Sequence, residues 1–150
     1  MNDATAVARP TEETIERFVT DWYVALDRHD PVEEVLPYLI DEGLVMRFPE
    51  GETRGHAGFL EWYDRVIRTF FDEVHEVKEV AVHYPDGPGT ATVDVVVNWQ
   101  ARIWNPPAAR STWLGFDAVQ TWTVVERDGL PAIATYAVNA LNAMPGSASL

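Results

Sequence analysis

The apolar residues of this chain change period part-way along it. Up to about Phe71 they recur every three to four residues, and from Val74 onward they alternate. A period near 3.6 buries one face of a helix, and a period of two buries one face of a strand. The switch therefore commits the chain to helices first and strands after. That order reads as an α+β fold, with helices packed on one face of an antiparallel sheet.

The helical part divides into three segments. Ile15, Phe18, Val19, Trp22, Tyr23 and Leu26 share one helix face. Thr11 is suited to cap that helix, and Glu12 and Glu13 complement its positive end. HDP at 29–31 ends it and opens another, with Asp30 as cap and Pro31 at the first helical position. Pro37 should shorten or kink this second helix. Leu44 to Phe48 reads as a short strand. The stretch FPEGETRGHAGFLEWY, 48–63, then leads into a third helix. Its apolar residues, Phe59, Trp62, Tyr63, Val66, Ile67, Phe70 and Phe71, exceed a single stripe and predict cover on two sides.

After Val74 four strands follow. Val80, Val82 and Tyr84 alternate with polar neighbours, and PDGPG at 85–89 is a turn. Residues 90–104, 112–126 and 130–142 are long strands. The loop NPPAARS and a tight turn at Arg127, Asp128 and Gly129 separate them.

Length and composition set outer bounds. The chain of 150 residues fits one domain, spanning about 11–142, and both ends (1–10 and 143–150) are expected to be loose. It has no cysteine, which removes disulfides, thiolate metal sites and a cysteine nucleophile. Eleven Lys and Arg against 24 Asp and Glu give a net charge of −13. Phosphate backbones and anionic bilayers need clustered cations, so neither nucleic acid nor membrane is expected as a partner. MNDATAVARP lacks the basic start and apolar run of a secretory signal, and a cytoplasmic location is expected.

Three stretches in this order resemble the nuclear transport factor 2-like superfamily, which includes ketosteroid isomerases and SnoaL-like polyketide cyclases. They are WYVALDRHD at 22–30, FPEGETRGHAGFLEWY at 48–63 and TWTVVERDGLPAIATY at 121–136. The resemblance implies a cone: a curved antiparallel sheet wraps three helices and leaves a pocket at one end. It also implies that homodimers are common. The acid and base positions of the isomerases correspond to Trp22, Phe48 and Thr121. The SnoaL-like acid also falls on Thr121. None of the three side chains is a carboxylate or an acid near neutral pH. Ketosteroid isomerisation is therefore argued against, and SnoaL-type cyclisation is weakened.

Two residues remain as candidate catalytic groups. His56 opens the third helix, where it serves either as a capping residue or as a neutral acid–base group at a pocket mouth. Asp117 lies four residues before Thr121 on one strand, hence on the same face. If Thr121 faces the pocket, so does Asp117, as a general acid or base. A bulge would reverse that register. Asn98, Gln100 and Arg102 share a face within NWQARIW, and Arg102 is a candidate ion-pair partner for Asp117. Trp22, Phe48, Phe59, Tyr63, Thr121, Tyr136 and Asn139 are the expected ligand-contacting set. Their aromatic content suits a small apolar or aromatic molecule.

His29, His56, His75 and His83 show no metal-binding spacing, and no phosphate-binding glycine motif occurs, so no metal and no cofactor is expected. Two function classes stay open. One is a ligand-binding or dimerisation module. The other is an acid–base isomerase, dehydratase, cyclase or epoxide hydrolase. A homodimer is expected through the outer sheet face, with Leu114, Phe116 and Trp122 outward and Gln100 and Gln120 bonding across.

Overall fold

A computed structural model describes residues 10–150, so the expectation for the N-terminus lies, Pro10 apart, outside the described residues. Helix α1, Glu12–Asp27, is capped by Thr11, whose hydroxyl accepts from the Thr14 N–H at 3.1 Å. A helix of this length is marginal alone. Burial of Ile15, Phe18, Val19, Trp22, Tyr23, Ala25 and Leu26 stabilises it, at roughly 1.5–3 kcal/mol for each large side chain. α2 is a single turn, Val32–Val35, running into a 3₁₀ turn at Leu36–Tyr38 that contains Pro37. Pro31 is its N-cap and Asp30 makes no capping bond; the Asp30 carboxylate pairs instead with Arg28.

The strands are β1 (Val45–Phe48), β2 (Gly51–Arg54), β3 (Phe71–His83), β4 (Thr90–Ile103), β5 (Thr112–Arg127) and β6 (Leu130–Ala143). α3, Gly55–Thr69, lies between β2 and β3. They form one sheet in the order β2-β1-β6-β5-β4-β3, antiparallel except where β1 runs parallel to β6. The fold is the expected α+β cone, with two boundary differences. GETR, which lies in the stretch read as leading into a helix, is an edge strand; it is too short and polar to show a period. Phe70 and Phe71 fall outside α3, because the helix stops at Thr69 and β3 begins at Phe71.

The sheet register decides what faces the interior. β4 and β5 pair without a shift from Thr90↔Val125 to Ile103↔Thr112. Along β5, Ala118, Gln120, Trp122 and Val124 are buried, with Trp122 and Val124 at 0% exposure. The even-numbered residues therefore point inward, and Asp117 and Thr121 point outward. This reverses the expected orientation and returns Leu114, Phe116 and Trp122 to the interior. With them goes the apolar outer patch on which the homodimer expectation rested. β6 is not so regular. Its pairing with β5 slips by one residue at Ala134 and again at Asn139. Each bulge changes the parity of the strand. Tyr136, Val138 and Leu141 consequently share the inner side, and Asn139 is left outside.

The C-terminal residues expected to be loose run on from β6 beside the start of β5. The Met144 and Ala148 N–H groups donate to the carbonyls of Gly115 and Trp113, and the Ser147 hydroxyl accepts from the Gly115 N–H. Among the described residues, no helix is long and apolar enough to cross a membrane.

Candidate active site

A cavity of about 510 Å³ opens between α1, α3 and the inner face of the sheet. The exposed residues Glu50, Arg65 and Leu150 mark its mouth. Its walls are mainly apolar, with Leu26, Val66, Val97, Ala118, Val138 and Leu141 among them. Phe48 and Trp62 add a stacked aromatic shelf, ring centroids 4.2 Å apart and 7° from parallel. The volume and lining suit a small ring-containing molecule.

Three polar groups interrupt this lining. The first is His75 on β3. Its ring Nδ1 donates to Asp27 Oδ1 at 2.5 Å, and its backbone N–H donates to Asp27 Oδ2 at 2.8 Å. Asp27 closes α1, one turn after Tyr23, so the helix end delivers a carboxylate to the strand. The imidazole also stacks on Tyr23, centroids 4.5 Å apart and 25° from parallel, with the Trp99 ring at 6.2 Å and 16°. With Nδ1 committed to Asp27, Nε2 is the nitrogen left for a ligand, and the neutral tautomer carries a lone pair there.

The second group is a chain of donors on the cavity wall. Trp122 Nε1 donates to Gln120 Oε1 at 3.1 Å, which fixes the amide's orientation. Gln120 Nε2 then donates to the Tyr23 hydroxyl at 2.7 Å. Tyr23 and Tyr136 hydroxyls lie 3.0 Å apart. With Tyr23 donating, Tyr136 keeps its own proton for a ligand. Burial raises both phenols: Tyr136 to about 12, and Tyr23 well above the ordinary value of 10.0, where the charge of Tyr136 adds. Both therefore remain neutral donors at physiological pH. Trp22 Nε1, beside Tyr136, makes no hydrogen bond of ordinary geometry, although its proximity eases ionisation of that phenol.

The third group is Glu73, also on β3, whose side chain is only 4% exposed. It bridges His29 Nε2 at 2.8 Å and Trp99 Nε1 at 2.9 Å. Among the described residues, no group of three or more His, Cys, Asp or Glu side chains is placed to hold a metal ion.

The residues expected from sequence divide in three. Phe48, Tyr63 and Tyr136 line the cavity. Trp22 and Phe59 are wholly buried behind it, Trp22 packing on Tyr136 and Phe59 on Trp62. The remainder lie elsewhere. Asp117 accepts from Asn98 on the outer sheet face, and Thr121 and Asn139 bond each other there, because the β5 register and the Asn139 bulge turn all three out. Arg102 reaches Ser111 rather than Asp117. His56 begins α3 away from the cavity. Its N–H donates to Asp41, which caps the helix from outside, and its ring donates to the Leu39 carbonyl. Asp117, His56 and Tyr136 thus do not converge on one point.

His75, Glu73 and Gln120 line the cavity and Asp27 holds His75; sequence reasoning assigned none of them to it, and it placed Gln120 on the outer face. The available signals were small: Tyr23 and Asp27 stand one helical turn apart, and Glu73, His75 and Val77 share one face of β3. Polar residues on an inward face look like a solvent face until the register is known.

A model of the SnoaL-like domain matches residues 19–143. The chain belongs to the SnoaL-like family. Among curated proteins, no sequence matches it. Solved structures give the same fold. A candidate scytalone dehydratase from Novosphingobium aromaticivorans superposes with a TM-score of 0.71 at 18% identity, over 92% of this chain and 88% of the other. A hexachlorocyclohexane dehydrochlorinase, LinA type 3, from Novosphingobium barchaimii gives 0.72 at 14% identity, over 92% of each chain. A nuclear transport factor 2-like protein from Salmonella enterica gives 0.69 at 14%, over 90% and 93%. At such identities these solved structures establish the architecture and no more.

Proposed function

We propose that this SnoaL-like protein binds an apolar, ring-containing carbonyl compound in its cavity and eliminates a β-substituent from it. His75 is the general base. The observation that carries this reading is the two-point clamp of Asp27 on His75, which leaves Nε2 unpaired in an apolar cavity.

The chemistry follows from the positions. A carbonyl oxygen bonded to the Tyr136 hydroxyl draws electrons from the neighbouring carbon, and the C–H on that carbon becomes more acidic. His75 Nε2 accepts that proton, Asp27 stabilises the imidazolium so formed, and the Tyr136 O–H stabilises the enolate oxygen. Expulsion of the β-group completes an alkene conjugated to the carbonyl. The apolar walls lower the local polarity and so strengthen both interactions. The names of two structural neighbours support the class, since a dehydratase and a dehydrochlorinase both carry out eliminations.

The test uses two probes that yield one product. They are the β-hydroxy ketone formed from acetone and benzaldehyde, and its β-chloro counterpart; both give benzylideneacetone, followed by ultraviolet absorbance. The wild type is expected to exceed His75→Ala by at least about 100-fold on one or both probes. Equal rates for the two proteins on both probes overturn the reading.

A further inference from the structure

Glu73 is the one carboxylate in the buried class among the described residues. A buried carboxylate is costly unless it is paired and hydrogen-bonded. Its two partners take one oxygen each: His29 sits on Oε1 and the Trp99 N–H on Oε2. An ionised carboxylate has about four acceptor positions. Two stay open, and Glu73 is part of the cavity wall.

Its position relative to His75 is set by the strand. The two residues are separated by one, on the same face of β3, so their side chains stand roughly 7 Å apart. An H–C–C–O unit with a reacting contact of about 3 Å at each end fits that spacing. His29, which is not part of the cavity wall, has a side chain 27% exposed. The carboxylate thus connects the cavity to an imidazole that meets solvent.

We propose that Glu73 is the acid that protonates the departing group, and that His29 recharges it from solvent. This rests on the elimination reading above. In the loaded pair one acidic proton resides on Glu73 or His29. His75 Nε2 takes the proton from the carbon beside the carbonyl, and that C–H electron pair becomes the new C=C bond. The β C–O bond breaks with its electron pair on oxygen. The oxygen takes the Glu73 proton and leaves as water. His29 then draws a proton from solvent, and the imidazolium of His75 returns one. The net change is loss of one water from the substrate. The assignment gives the substrate class as β-hydroxy carbonyl compounds, because hydroxide needs a proton to leave and chloride does not.

The experiment compares the two probe ketones in the wild type, Glu73→Gln and His29→Gln. Glutamine keeps the size of Glu73 and an oxygen to accept a hydrogen bond, but it has no acidic proton. Glu73→Gln is expected to lower the ratio of water loss to chloride loss by at least about 100-fold. His29→Gln is expected to lower the same ratio by about tenfold, because slower reloading limits only the proton-dependent reaction. Chloride elimination in each variant reports that the fold and the His75 base survive. A ratio unchanged in Glu73→Gln overturns this proposal and leaves the elimination reading intact. A wild type inactive on both probes overturns both.

Discussion

The Asp27 carboxylate meets two N–H donors of one residue, and each of its oxygens serves one. Asparagine at this position offers a single acceptor oxygen and brings an N–H₂ against the second donor. The imidazole then loses either its orientation or the tautomer with a bare Nε2. Asp27→Asn is expected to reduce kcat for chloride elimination by about 10²–10⁴-fold, while KM moves little, because the aromatic walls that hold the ligand are unchanged. Steady-state kinetics on the β-chloro ketone measure it. A second substitution separates base from donor. Tyr136→Phe removes the hydroxyl that faces the developing enolate and should cost about 10²–10³-fold in kcat. Its stacking on Trp122, at 5.0 Å between centroids, survives in phenylalanine, but the buried Tyr23 hydroxyl loses its acceptor, so unfolding stability near neutral pH should fall by about 1–3 kcal/mol. The pairing of Asp27 with His75 was not legible from local patterns. Asp27 and His75 lie 48 residues apart, and their contact exists only because α1 packs across the start of β3. Tyr136, by contrast, was legible as an aromatic on the last strand of the cone.

Among the elements, β5 carries the sheet's register, and sequence alone could not orient it. Leu114, Phe116, Ala118 and Trp122 argue for one face as the buried one, and Val119 and Val125 qualify that argument. A one-residue slip exchanges the two sets completely. The resemblance to the family weighed the other way by aligning Thr121 with a pocket position. The structure sides with the apolar count. The bulges of β6 were also hidden, since neither Ala134 nor Asn139 is a residue that announces one. The long helices α1 and α3 and the long strands β3 to β6 were readable because each rests on period, capping and turn chemistry within a short window. A stability measurement checks the register directly. Trp122 is wholly buried against Trp22, Tyr23 and Tyr136 and also orients Gln120. Trp122→Ala should therefore lower unfolding stability by about 3–5 kcal/mol in urea titrations. An outward Trp122 at a subunit interface would instead change the oligomeric state and leave the urea midpoint of the protomer nearly unmoved.

At the scale of the whole molecule, the buried phenols link stability to alkaline pH. Burial holds Tyr136 at about 12 in the folded protein, against 10.0 for a free phenol. Between those values the unfolded chain has released the proton and the folded chain retains it. Rising pH therefore favours unfolding across that window. Stability from this group is complete below pH 10 and is lost as pH approaches 12. Two pH units at about 1.4 kcal/mol each amount to roughly 3 kcal/mol. Tyr23 shifts in the same direction and adds to the loss. The net charge of −13 supplies a further alkaline penalty, because ionisation of any remaining phenol or lysine increases self-repulsion. Comparing the wild type with Tyr136→Phe separates the two contributions. Both proteins share the general repulsion, and only the wild type carries the Tyr136 linkage. Urea midpoints measured at intervals from pH 8 to beyond 11 should fall more steeply in the wild type. Parallel curves would mean that the Tyr136 hydroxyl ionises as readily in the fold as in the unfolded chain, and the neutral donor assigned to the cavity would lose its physical basis.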